Sequence, residues 1–374
     1  MTATISFRAR QAGTIARVEL RRAFFSKRSF WVYLLALFPA VVFIGHGIEA
    51  KIDRQRWSAK GFTPAALLDG IKQGETSEAV RGRLGTPVSD EKWDHRRRVL
   101  REGSGKDSEP RVWEEKREQR RRLTYFDGRR RADLWFENGV LRSKSIRPLL
   151  NLEEDRQVFA GLFQYFYLRL AIFFGCLGIF MNLFRGDMLD KTLHFWFLAP
   201  IRREVLLLGK YAAGLVAAVV IFTGGALLCF AAMLWPHDPG EVQVYWQASG
   251  LSHAFWYAAA AALGCVGYGS VFLAAGLLLR NPIVPAATLL LWEAINGFLP
   301  ATLQKVSVLY YLQSLCPIPA PMDNSAPAFI RMLLSSAEPA SHFWSVAGLL
   351  ALTALVLVVA ARASRRIEIS YSTE

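Results

Sequence analysis

Apolar runs and charged stretches alternate along this chain, and the runs set the first reading. Six stretches are almost free of charge over about 19–27 residues each: Phe30–Ile48, Leu162–Phe184, Ala212–Trp235, His253–Leu279, Ile283–Leu303 and Phe343–Ala361. A hydrocarbon core of about 30 Å is crossed by about 20 helical residues, more when the helix tilts. Each run therefore predicts one transmembrane helix. Between the first two runs the pattern changes. Residues 121–126, 129–137 and 140–145 read as three strands, separated by Asp127-Gly128 and Asn138-Gly139. Such dipeptides supply the positive φ angles that tight hairpins need. Before them, Thr63–Ile71 and Ser77–Leu84 read as short helices, the second closed by Gly85 with Pro87 just beyond. The fold class is an α-helical membrane protein with six transmembrane helices and an inserted α+β domain, built from short helices and a three-stranded antiparallel meander.

Charge refines this picture once it is counted by segment. The 374 residues carry 45 Lys and Arg against 31 Asp and Glu, yet 52 % are hydrophobic. Residues 51–160 hold 26 of the basic and 19 of the acidic residues, so half of the net +14 lies in the insert. The apolar content excludes disordered and fibrous classes, and the long uncharged runs exclude a single soluble domain. Short flanks rich in Lys and Arg mark the cytoplasmic side. They are Arg8 to Arg28 before the first run, Arg185 to Lys210 after the second, and Arg362 to Arg366 after the last. Six spans put all three clusters on one side, with both termini cytoplasmic and the insert extracytoplasmic, in a bacterial inner membrane. The expected organisation is an N-terminal cytoplasmic elbow helix (1–29), a first span (30–48), the external domain (51–160) and spans two to six (162–374). The last part includes a cytoplasmic segment at 185–210 and an outer re-entrant segment at 304–322. The first run lacks a small-residue cleavage site and reads as an anchor rather than a signal peptide.

Little catalytic chemistry is spelled out. There is no G-x-x-x-x-G-K-[ST] loop to hold ATP, no Gly-x-Ser-x-Gly elbow and no metal-ligand spacing among the six histidines. The chain is read as a non-enzyme that binds no metal or cofactor. At 100° per residue, Arg10, Arg17, Arg21 and Arg28 form one basic stripe, suited to a membrane surface, with Glu19 opposite. Arg169 is expected to reach the headgroups. Glu293 and Asn296, three residues apart in the fifth run, are the candidate intramembrane gating or substrate-path residues, since a carboxylate there costs about 2.5–3.5 kcal/mol. A structural bond between helices is the other role open to them. The arginine runs at 96–98, 120–122 and 129–131 alternate with Glu114, Glu115 and Glu118 and read as a solvated surface, with no nucleic acid as partner.

The segment after the second run carries the most specific pattern. Asp187 and Asp190 precede Lys191-Thr192-Leu193, an apolar stretch to Leu198, Pro200-Ile201, Arg202-Arg203-Glu204 and then Gly209-Lys210. In this order the chain resembles the ABC-2-type transporter permeases, except that Lys191 stands where a glycine is commoner. The resemblance implies a permease subunit, leaning to export, that pairs with a second permease copy and with a separate cytoplasmic ABC ATPase. ATP and Mg belong to that partner. Coupling would run through Asp187, Asp190, Lys191, Thr192, Leu193, Pro200, Arg202, Arg203 and Glu204. In the insert, Gly74 to Pro87 followed by Trp93 and the strand Leu123–Phe126 resembles small BamE-like lipoproteins, which implies an envelope protein as partner. The alternative is a non-transporting inner-membrane anchor that presents a periplasmic protein-binding module.

Overall fold

The computed structural model describes residues 13–17, 19–20, 24, 29–100, 113–189, 198, 202–279, 283–296, 299–319 and 339–364. The chain divides into two compact units, Met1–Ile44 with Glu153–Glu374, and Gly45–Leu152.

The first unit is helical. Among the described residues, five helices are long and apolar enough to cross a membrane: Ser29–Lys60, Leu152–Phe184, Arg203–Leu234, Pro239–Leu278 and His342–Ser364. Apolar side chains gain little from each other's company in lipid, so close backbone approach and interhelical hydrogen bonds must hold such helices. Glycines provide the approach. A methyl on Gly276 would lie 2.8 Å from the Met181 carbonyl oxygen, and one on Gly225 2.8 Å from that of Ala36. Tyrosines provide the bonds: Tyr167 Oη donates to the Phe222 carbonyl at 2.6 Å and Tyr211 Oη to that of Val266 at 2.9 Å. Phe159, Phe163 and Tyr257 meet ring to ring in the same core. The helix from Leu152 widens into π turns over Phe163–Ala171 before continuing as α-helix to Leu189, and Pro239–Leu278 widens likewise over Trp246–Gly250.

One expected span is different. The fifth apolar run forms a helix only over Ile283–Ile295, thirteen residues or about 20 Å, and the chain is in non-helical form at Leu299 and Pro300 before the short helix Ala301–Gln304. Pro300 cannot continue a helix begun upstream. A further short helix, Val308–Leu315, follows. The re-entrant region predicted at 304–322 thus consists, over its described part, of short helices with Val308, Leu309, Leu312 and Leu315 buried. Gln164 Nε2 ties it down by donating to the Ile318 carbonyl at 2.8 Å.

The second unit contains a four-stranded antiparallel sheet in the order β1 (Ser89–Leu100), β2 (Trp113–Phe126), β3 (Arg130–Glu137), β4 (Val140–Pro148). The meander was expected to have three strands and begin at 121. The additional strand, β1, is highly charged and lacks apolar alternation, and it exists because β2 pairs with it from Ser89 to Leu100. The second turn dipeptide behaves as read, with φ of 51° at Asn138 and 81° at Gly139; in the first, Gly128 alone is positive at 90°, and Asp127 instead accepts from the Arg129 and Arg130 amides. Helices Ala65–Asp69 and Ser77–Leu84 contribute Leu68, Val80 and Leu84 to a core with Leu123, Tyr125, Leu134, Phe136 and Leu141. Thr76 caps the second helix by accepting from the Ala79 amide at 3.4 Å. The unit runs from Gly45 to Leu152, displaced towards the N-terminus from the expected 51–160.

Candidate functional site

Lys210 lies two turns into the helix Arg203–Leu234, and it is the sole charged residue from Val205 through Pro236. Its side chain is 0 % exposed. An ammonium has three N–H donors and no acceptor, and in an apolar interior each must find an oxygen. Lys210 Nζ donates to Glu19 Oε1, to Asp187 Oδ2 and to the Leu183 carbonyl, each at 2.6 Å. Glu19 and Asp187 are themselves only 2 % exposed. The ring of Phe184 lies 5.4 Å from Nζ.

Three chain regions converge here, each for a local reason. Residues 13–17 and 19–20 are helical, and Ile15 and Glu19, four apart, share the buried side while Arg17 is exposed. Asp187 stands near the end of the helix Ile172–Leu189, one turn beyond Leu183, so its carboxylate and the Leu183 carbonyl reach the same ammonium. Lys210 comes from the next helix, against Leu183 and Phe180, where Gly214 makes room: a methyl there would lie 2.8 Å from the Phe180 ring. The node therefore closes both ends of the intervening segment on each other.

The helix that follows the segment is anchored separately. Arg202 is its exposed cap residue, and its carbonyl accepts from the amides of Val205 and Leu206. Arg203 Nη1 donates to the Ser364 carbonyl at the end of the last described helix, at 3.1 Å, where a cation meets the negative end of the helix dipole. Glu204 lies in the first turn, the favourable place for an acid. Asp190, Lys191, Thr192, Leu193 and Pro200 fall outside the described residues, as do Arg10, Arg21 and Arg28 of the basic stripe. Leu198 is described, helical and 78 % exposed.

Glu293 and Asn296 are both buried, and each holds backbone rather than facing open space. Ser307 Oγ donates to Glu293 Oε2, and the amides of Val308 and Leu309 donate to Oε1 at 3.2 and 3.5 Å. The carboxylate thus occupies the N-terminus of Val308–Leu315, where unpaired amides and the helix dipole favour negative charge. Asn296 Nδ2 donates to the Gln304 carbonyl at 3.4 Å, and Gln304 Nε2 to that of Leu299 at 2.8 Å. Arg169, expected to reach the headgroups, lies within the π-helical stretch, half-buried, its guanidinium carbon 5.8 Å from the Tyr165 ring centre. Its buried Nε has no hydrogen-bond partner among the described residues.

The sequence pattern places Lys210 in a basic cytoplasmic flank, in the Gly209-Lys210 pair before the third span, and gives Glu19 no role of its own. One signal was available: Glu19 is the sole acid among seven Lys and Arg in the first 29 residues. Among the described residues no three His, Cys, Asp or Glu are grouped to hold a metal ion. Comparison with protein-family models, with curated proteins and with solved structures returns no match.

Proposed function

We propose that this multi-pass membrane protein is the permease subunit of an ATP-driven transporter of the ABC-2 type, leaning to export, and that segment 185–210 takes up movement from a separate cytoplasmic ATPase. The observation that carries the proposal is the buried node of Lys210, Glu19 and Asp187. It holds the two ends of the segment together at the membrane-helix bundle, which is what a part that receives a push from outside and passes it to spanning helices requires. In this reading both termini are cytoplasmic in a bacterial inner membrane, with the whole fifth apolar run, Ile283–Leu303, as the fifth of six crossings, of which the helix Ile283–Ile295 covers about 20 Å. A second permease copy completes the pathway, and ATP and Mg reside on the partner.

The test is co-purification of the full-length chain with its ATPase, followed by ATP turnover in lipid. Reversing charge at two positions of the segment, Asp190→Lys with Arg202→Glu, is expected to weaken the association. Intact co-purification and unchanged turnover would sink the proposal. The rival reading, a membrane anchor presenting a protein-binding module, draws on the separate core of Gly45–Leu152. It predicts that loss of that module alone abolishes function while segment 185–210 tolerates substitution.

A further inference from the structure

Glu19 belongs to no feature that the permease reading uses, yet it accepts one of the three hydrogen bonds from Lys210 Nζ. The N-terminal helical residues are thereby joined through one buried atom to the helix before segment 190–201 and to the helix after it. A purely apolar contact would hold these elements together as well, since replacing a buried ionic cluster by well-packed apolar residues is often neutral or stabilising. What the ionic node adds is direction. Nζ has three donors, and oxygens of Glu19, Asp187 and Leu183 each lie 2.6 Å from it, so sliding any one element along the others breaks a charged hydrogen bond in a buried place. An apolar contact would slide at little cost.

We propose that Lys210 is a positioning residue that locks the N-terminal segment, through Glu19, to both ends of segment 190–201, so that displacement of that segment moves the N-terminal helix with it. The proposal rests on the permease reading for what does the displacing, but the lock itself is a property of this chain alone. It assigns the N-terminal segment a second function beyond lying on lipid: it is a third arm of the transmission, with its exposed side towards Arg17 and its buried side towards Ile15 and Glu19. The contact spans 191 residues of sequence between Lys210 and Glu19.

The experiment uses the full-length protein in lipid nanodiscs, with the ATPase subunit that co-purifies with it, and follows amide hydrogen exchange. Two variants are compared with wild type: Glu19→Gln, which keeps an acceptor but removes the charge, and the neutral triple variant Glu19→Gln, Asp187→Asn, Lys210→Met, which removes all three charges of the node. In wild type, adding non-hydrolysable ATP to the complex is expected to change exchange both in residues 183–210 and in residues 13–20. In the triple variant the change is expected in 183–210 only, while the ATPase stays bound. Glu19→Gln is expected between the two. A nucleotide-dependent change in residues 13–20 that persists in a folded triple variant would overturn the lock. If no ATPase co-purifies with wild type, the permease reading fails. The lock is then judged without nucleotide: exchange in 13–20 that is no faster in Glu19→Gln than in wild type would overturn it too.

Discussion

Two groups of opposite charges hold parts of this protein together, and they differ in where their charges sit. In the helical unit, Lys210, Glu19 and Asp187 are shut away from solvent and every contact is 2.6 Å. In the sheet unit, Arg121 grips Asp90 through two hydrogen bonds at 2.6 and 2.7 Å, and Arg130 bridges Asp127 and Asp69. Asp90, Arg121, Arg130 and Asp69 are partly open to water, while Asp127 is buried. The contacts run from 2.6 to 3.2 Å, and what breaking them costs differs more than their lengths do. An exposed pair that loses a partner is rehydrated, whereas a buried ion that loses its partner stays uncompensated. The sheet unit can therefore lose the Asp90–Arg121 or the Asp69–Arg130 bridge and remain folded. The helical unit depends on all three members of its node, or on none.

This contrast can be pressed at several points. The largest effect belongs to Lys210→Met, which abandons two buried carboxylates. Thermal unfolding of the full-length protein in detergent should show a loss of about 3–5 kcal/mol, and the neutral triple variant should recover most of it. A triple variant no better than Lys210→Met would mean that packing around the lysine stem, and not charge, dominates. Next is Glu293→Ala, which strands the hydroxyl of Ser307 and two amides at the start of Val308–Leu315. About 1–3 kcal/mol is expected, with Glu293→Gln losing less because its amide oxygen still accepts. Equal losses would show that ionisation, and not acceptance, is what the helix start requires.

In the sheet unit, Thr76→Ala removes a helix cap and should cost about 1 kcal/mol, measured on the same unfolding curve. Smallest is Asp90→Asn, worth about 0.2–1 kcal/mol for so exposed a pair. Its signature is in pH. The hydrogen bonds from Arg121 hold Asp90 below the ordinary carboxylate value of 3.8. A carboxylate whose folded value is depressed adds stability above its unfolded value and loses it as pH falls through the folded one. Exchange in strands β1 and β2 should therefore rise with acid below about pH 4 in wild type, and less so in Asp90→Asn. An identical acid response in the two proteins would remove Asp90 from the account.

How much of this could be read beforehand varies with the length of the contacts. Five of the six uncharged runs coincide with long apolar helices that extend beyond them at one or both ends, and Gly128 and Asn138-Gly139 mark the turns because their φ preference is local. The fifth run misled because hydropathy averages over Asn296 and Pro300, before which the helix ends at Ile295 although the neighbours are greasy. Strand β1 was missed because Asp90 to Arg98 has no apolar face of its own, and it becomes a strand only by pairing with β2, where Asp90 meets Arg121 and Glu91 meets Arg122 even though Lys92, Arg96 and Arg97 stand opposite Arg121, Arg117 and Lys116. The node was least legible. Composition records Lys210 as one more cation near a membrane surface, and only the fold brings it Glu19 from the other end of the chain.

The π-helical stretch Phe163–Ala171 leaves the helix Leu152–Leu189 with more residues than its turns need. An α-helix advances by about 100° per residue, so a surplus residue changes the phase between what lies before and after it. Phe159 and Asp187 therefore keep faces that a regular helix of the same length would not give them. The surplus is also a reserve. Passing the wide turn along the helix, or deleting one residue from it, would rotate the end that carries Asp187 against the end that carries Phe159 while keeping the backbone hydrogen-bonded, a twist rather than a hinge.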